Sequence, residues 1–265
     1  MPLAVGGKLL TWGLKRLFWP LFAALLLAGC SSNPSLHGAG ILAAGSTSPT
    51  SGKKKPFNPF AEDEGTFASG RREVIKNPTI ADVMQPGPLP EMALGRADAP
   101  VTIVKYASLT CPFCRKFQIE TFPVLKREYI DTGKVRYILR EFPIGFQSGA
   151  ATIAWRCAPA DRYFDLYDKF MRQQKQWVSQ TVRRDPIFKI ARQVGLTRSQ
   201  FDACYADKSL AEKLNAVKER GRTLGIIGTP NFFVNGKLYK RRLGTSDIHN
   251  LVAQALAKPV AAANN

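Results

Sequence analysis

Apolar and polar positions divide the chain into segments with two periods. Val101 to Leu109, "VTIVKYASL", is a short β-branched apolar run and reads as a strand. Beyond it Phe113, Phe117, Phe122, Leu125 and Tyr129 recur at spacings of four, five, three and four, the period of an amphipathic helix. A kink is expected at Pro123 and the helix end at Gly133. "KVRYILREFPI" supplies a second strand, which makes a βαβ unit. From about Gln147 to Gly225 the period is helical throughout: "AATIAWRCA", "YFDLYDKFMRQQ", "DPIFKIARQVGL", "RSQFDACYAD" and "SLAEKLNAVKERGRTLG" each carry an apolar face, and turn residues divide them. The pattern then changes again. Asn231 to Val234 reads as a strand, Asn235-Gly236 as a hairpin turn, Lys237 to Lys240 as the returning strand, and Ser246 to Ala257 as a closing helix.

The N-terminal segment follows a different grammar. Lys8, Lys15 and Arg16 precede an apolar run from Leu17 to Ala28, too short for a membrane span and typical of an export signal. Leu27-Ala28-Gly29-Cys30 resembles the lipobox of bacterial lipoproteins, which implies a signal peptide over 1–29 and lipidation of Cys30; an ordinary signal peptide or an uncleaved anchor is the alternative. Five cysteines is an odd count for an exported chain of 265 residues, and lipidating Cys30 leaves four, Cys111, Cys114, Cys157 and Cys204. Loss of Lys8, Lys15 and Arg16 with the signal lowers the formal charge only from +18 to +15. Residues 30–71, rich in Ser, Gly, Pro and Ala, read as a flexible tether, and 72–99 as a Pro-rich lead-in. Lys53, Lys54 and Lys55 fit either anionic headgroups or a solvated charge run. Export argues against nucleic acid as the partner of so basic a protein.

"CPFC" puts Cys111 and Cys114 where the first strand hands over to a helix N-terminus. Unsatisfied N–H groups and the positive end of the helix dipole make a cysteine there ionise more readily, and the thiolate is the nucleophile of disulfide exchange. Cys111, nearer the end, is expected to attack, and Cys114, one turn inside, to resolve the mixed disulfide. Pro112 suits the first helical position, where its missing N–H costs nothing. No metal site is expected, because Cys157 and Cys204 are solitary and the two histidines, His37 and His249, lie far apart.

Strand, "CPFC", helix, helical block and "GTPNFFVNG", in that order over roughly Ala93 to Ala257, resemble the DsbA-like family of bacterial thiol–disulfide oxidoreductases. The resemblance implies an α/β, thioredoxin-like fold with an inserted α-helical subdomain: a first part over 100–146, the insertion over 147–224, a second part over 225–258 and a tail over 259–265. It implies a cis bond at Thr229-Pro230 facing the cysteines, and a substrate-binding surface made of Pro112, Phe113, Thr229 and Pro230. It implies exchange without any cofactor beyond the Cys111–Cys114 disulfide, acting on exported polypeptides with cysteines, with a DsbB-like membrane partner to regenerate it. A periplasmic protein, held to the membrane by its lipid, is then expected. A monomer is favoured, because nothing between Ser31 and Met92 has the alternating strands of a dimerisation domain.

Two residues depart from the family pattern. Phe113 stands where a thiolate-stabilising histidine is common, which implies a milder oxidant. Lys105, six residues before Cys111, stands where a carboxylate is usually buried. Its amine either lies under the site and modulates the thiol pKa or snorkels to solvent. An oxidase is favoured over a reductase or isomerase of the same fold. A non-catalytic peptide-binding lipoprotein with Phe113, Phe142, Phe146 and Phe232 as its apolar patch is the reading from another class, although most of these side chains fit the core better. Cys157 and Cys204 are read as a structural disulfide across the insert, with two buried thiols as the alternative; some relatives with a second pair in the insert favour the bridge.

Overall fold

The computed structural model describes residues 73–257; the signal segment, Cys30, His37 and the tether lie outside them. The centre is a sheet in the order β1-β3-β2-β4-β5. β2 (Val101–Ala107) and β3 (Val135–Glu141) pair in parallel from Val101 opposite Val135 to Ala107 opposite Glu141. β4 (Asn231–Val234) runs antiparallel to β2, and β5 (Lys237–Tyr239) antiparallel to β4. Asn235 at φ +45° and Gly236 at φ +85° form the two-residue turn between them, a conformation in which glycine meets no steric penalty. Asn235 also accepts from the Thr102 N–H at 2.7 Å and donates its own N–H to the Thr102 carbonyl at 2.9 Å, which pins the hairpin to the start of β2. Inside the expected lead-in, a short helix α1 (Ile80–Met84), capped by Thr79, is followed by β1 (Ala93–Leu94), which adds an antiparallel edge to β3 that no periodicity announced.

The connection from β2 to β3 begins as α2 (Pro112–Lys116) and resumes as α3 (Phe122–Leu125), with wide π turns over Phe117–Thr121 and Lys126–Ile130. The spacing of five between Phe117 and Phe122 is the imprint of the first π turn, whose extra residue keeps the apolar face turned inward just before Pro123. Phe117 and Leu125 are fully buried. Phe113, expected on the same face, instead points out with 59% of its surface exposed.

Central strand β2 is covered on both faces, hence its nearly unbroken apolar run. Ile103 and Ala107 face a core with Phe117, Tyr167, Phe232 and Val234, whereas Val104 and Tyr106 face Ile138, Phe142, Leu224 and Phe233. In the chain, between β3 and β4, come α4 (Phe146–Arg156), α5 (Tyr163–Arg172), α6 (Gln174–Trp177), α7 (Arg184–Ala191), α8 (Arg198–Ala206) and α9 (Lys208–Thr223). Their interior is aromatic: Trp155 stacks on Tyr163 at 4.6 Å, and Phe170 meets Trp177 edge-on at 5.2 Å. Helix α10 (Thr245–Ala257) returns to the sheet. The fold is thioredoxin-like, with a helical insertion between β3 and β4.

Candidate functional site

The turn Ser108–Thr110 carries the chain from β2 into α2, and the Cys111 N–H closes it on the Ser108 carbonyl at 3.2 Å. Cys111 is the N-cap of α2, with extended backbone angles, φ −73° and ψ 120°. Its sulfur takes the place of the oxygen of a usual capping side chain and accepts from the Cys114 N–H at 3.3 Å. Pro112 occupies the first helical position. Cys111 is half-buried, whereas Cys114, one turn on, is fully buried; both are free thiols.

The two sulfurs therefore differ in acidity. Hydrogen bonding from the Cys114 thiol, aided by the Thr229 side chain and by the N–H groups of Cys114 and Phe113, lowers the Cys111 pKa to about 6 against the opposing effect of partial burial. Burial pushes the Cys114 thiol well above its usual value, and its hydrogen bond to Cys111 adds to this. Near neutral pH one sulfur is a thiolate at the surface and the other a protonated thiol below it.

Lys105 lies beneath them with no solvent exposure, so the snorkelling alternative fails. Being on β2 next to buried neighbours on both sides, its side chain has no route out. Its Nζ donates to Tyr167 Oη at 2.9 Å and sits 4.3 Å from the centroid of the Phe117 ring. Burial lowers its pKa to about 8, while the charges of Cys114 and then Cys111 hold it up. Tyr167, not singled out in the sequence, is the polar partner that makes a lysine tolerable here.

Thr229-Pro230 is cis, and the Thr229 carbonyl accepts from the Cys111 thiol at 3.1 Å. That main-chain contact favours the protonated thiol, so the lowered pKa rests on the Cys114 thiol, the Thr229 side chain and the N–H groups of α2. The loop thus faces the sulfur with main-chain polarity. Exposed apolar side chains lie close by in the chain or are tied to the same turn: Phe113 between the cysteines, Ile227 two residues before Thr229 with 83% of its surface exposed, and Ile144, whose N–H donates to the Ser108 hydroxyl at 3.3 Å, with Phe146 two residues on. Phe142 and Phe232, part of the patch in the peptide-binding alternative, are buried core residues. Phe142 lies edge-on to Tyr106, and Phe232 packs on Phe117 at 4.8 Å. Ile144 and Ile227 were not legible as site residues, because a lone isoleucine in a loop carries no pattern.

Away from the site, Cys157 at the end of α4 and Cys204 on α8 are joined in a disulfide, with Cα atoms 6.3 Å apart. It ties two helices of the insertion together, and the alternative of two buried thiols is not what the structure contains.

Residues 89–254 match the family model described as thioredoxin. A protein of Rickettsia bellii named "Putative protein-disulfide oxidoreductase" is 36% identical over 148 residues, which are 55% of this chain and 57% of that one. The chain thus spans little more than half the length of that relative. A Bacillus cereus protein named "Probable disulfide bond formation protein D" is 30% identical over 154 residues, 56% of this chain and 71% of that one. Among solved structures, alpha-DsbA1 of Wolbachia pipientis superposes with a TM-score of 0.60 at 27% identity, covering 68% of this chain and 98% of its own. BdbD from Bacillus subtilis, at 21% identity and a TM-score of 0.59, shares the fold over 70% of this chain and 99% of its own. Sheet order, helical insertion and the matched region agree, and the chain belongs to the thioredoxin family, with the DsbA-like architecture.

Proposed function

We propose that the protein is a thiol–disulfide oxidoreductase that introduces disulfides into exported polypeptides, with Cys111 as the exchanging sulfur and Cys114 as the resolving one. The observation that carries this reading is the asymmetry of the pair: Cys111 is an accessible N-cap sulfur with a pKa of about 6, and Cys114 is buried and protonated. In the oxidised enzyme a client thiolate attacks Cys111 Sγ, the Cys111–Cys114 bond breaks, and the electron pair leaves on Cys114, which takes up a proton. A second client thiolate then attacks the client sulfur of the mixed disulfide. Cys111 departs as a stable thiolate, and the client holds the new disulfide. A leaving thiol of low pKa stabilises the dithiol form of the enzyme, which favours the oxidising direction. The Thr229-Pro230 loop offers main-chain groups to an extended client segment beside Pro112, and Phe113, Phe146 and Ile227 offer apolar contact. The client is a cysteine-bearing polypeptide in the periplasm, and reoxidation falls to a DsbB-like membrane partner. Anchoring through Cys30 and a monomeric state complete the reading.

Cys111→Ser is expected to abolish both oxidative refolding of a reduced client and insulin reduction, and Cys114→Ser to accumulate the mixed disulfide. Full refolding activity in Cys111→Ser would sink the assignment, and binding of an unfolded client that survives it would mark a peptide-binding protein instead. Wild-type enzyme that reduces insulin rapidly but oxidises clients slowly would reverse the direction.

A further inference from the structure

The helical insertion reaches into the redox motif through one polar side chain. Gln174 opens α6, is 92% buried, and points its amide at the turn that holds Cys111. Its Nε2 donates to the Leu109 carbonyl at 2.7 Å and the Cys111 carbonyl at 3.1 Å. The Cys111 carbonyl also accepts the Arg115 N–H at 3.1 Å, the bond that starts α2. One amide thus spans the turn from the residue before Thr110 to the N-cap itself. Its base is firm: the Trp177 carbonyl at the end of α6 accepts from Gln147 Nε2 at 2.7 Å, and Gln147 Oε1 accepts from the Arg183 N–H at 3.0 Å. The Trp177 indole donates to the Phe170 carbonyl at 2.9 Å.

We propose that Gln174 is a positioning residue for disulfide exchange: its amide clamps the Leu109 and Cys111 carbonyls so that the Cys111 sulfur stays over the N–H donors of α2. A carboxamide nitrogen has the two N–H groups this grip needs, and a carboxylate has none. Without the amide the Leu109 carbonyl loses its buried partner and the N-cap loosens. The donors that favour the thiolate then point less well, the Leu109 carbonyl dipole near the sulfur stands uncompensated, and the Cys111 carbonyl keeps only the Arg115 N–H. The helical insertion thereby becomes part of the redox apparatus rather than only a cover over the sheet.

This inference rests on Cys111 being the exchanging sulfur, and the test separates the two. Gln174→Met keeps length and burial but removes both donors. The proton affinity of Cys111, followed by thiolate absorbance, is expected to rise about three- to tenfold, which is what one net hydrogen bond carries. The equilibrium of the Cys111–Cys114 pair with glutathione should move towards the disulfide by a similar factor. Gln173→Met, which breaks only the surface pair of Gln173 with Gln193, is expected to leave both at their wild-type values. Folded Gln174→Met with unchanged Cys111 acidity and an unchanged glutathione equilibrium would overturn the clamp. Should Gln174→Met fail to fold, Gln174→Asn, which keeps an amide but is too short to span both carbonyls, is read by the same two measurements with the same outcomes. Wild-type protein that forms no Cys111–Cys114 disulfide at any glutathione ratio would instead sink the reading of Cys111.

Discussion

At the scale of single residues, Lys105 and Cys111 set up opposing proton equilibria within one buried cluster. The foremost charge that Lys105 meets is the Cys114 thiolate once it forms, with Cys111 second, so on the proposed function its electrostatic effect falls mainly on the resolving step. Lys105→Met combined with Tyr167→Phe, which removes the charge without orphaning the phenol, is expected to prolong the mixed disulfide by about tenfold, the equivalent of about one pKa unit on Cys114. The same pair should raise the stability of the folded protein by about 1–2 kcal/mol, because a buried ammonium is replaced by apolar packing. Stopped-flow reduction of a client disulfide and urea denaturation check the two halves. Cys111 leaves a separate signature. Its pKa in the folded state, about 6, lies below the ordinary 9.0, so ionisation stabilises the reduced protein above pH 9 and that gain is lost as the pH falls through 6. The thermal midpoint of the reduced protein should therefore fall between pH 9 and pH 6 relative to that of Cys111→Ser. Cys111 and Cys114 were legible from the strand–helix handover, and Lys105 from its departure from the family pattern. It missed Tyr167, Gln174 and Ile227, whose importance comes only from which distant segment folds against them.

At the scale of elements, most of the architecture is written in periodicity, and the exceptions have local causes. The strands β2, β3 and β4 and the helices of the insertion all carry clear apolar repeats. β1 is two residues long, below the length at which alternation can be seen, and it forms because Ala93 and Leu94 lie beside Ile138 and Tyr137 on β3. The π turn over Phe117–Thr121 shows in the sequence only as an irregular spacing, just before the kink expected at Pro123. The packing of α9 on the sheet depends on Gly221. A methyl group there would lie 2.9 Å from the Tyr106 ring and 3.1 Å from Phe142, both on the buried face of the sheet. Gly221→Ala is expected to cost about 1–3 kcal/mol through overpacking, even though alanine is the better helix former. Chemical denaturation checks this, and a gain in stability would show that α9 can slide.

At the scale of the whole molecule, the chain carries 38 basic and 20 acidic side chains, and its surface attracts anions at long range. Exchange with an acidic cysteine peptide is expected to slow several-fold as ionic strength rises from about 0.01 M to 0.15 M, where the screening length shortens from about 30 Å to about 8 Å. A basic peptide of the same length should show the opposite trend, and competition between the two at both salt concentrations checks it. The ends of the sheet carry a further consequence. A protein that handles unfolded chains risks having them add as extra strands wherever a sheet stops. Here one edge is the two-residue β1, and the other is the three-residue β5, bounded by Lys237 and Lys240. Both are too short to template a partner, and the charged side adds an electrostatic and solvation barrier. On the proposed function, main-chain pairing with a client is then steered to the Thr229-Pro230 loop, where it brings a cysteine to Cys111, and away from margins where it would only nucleate aggregates.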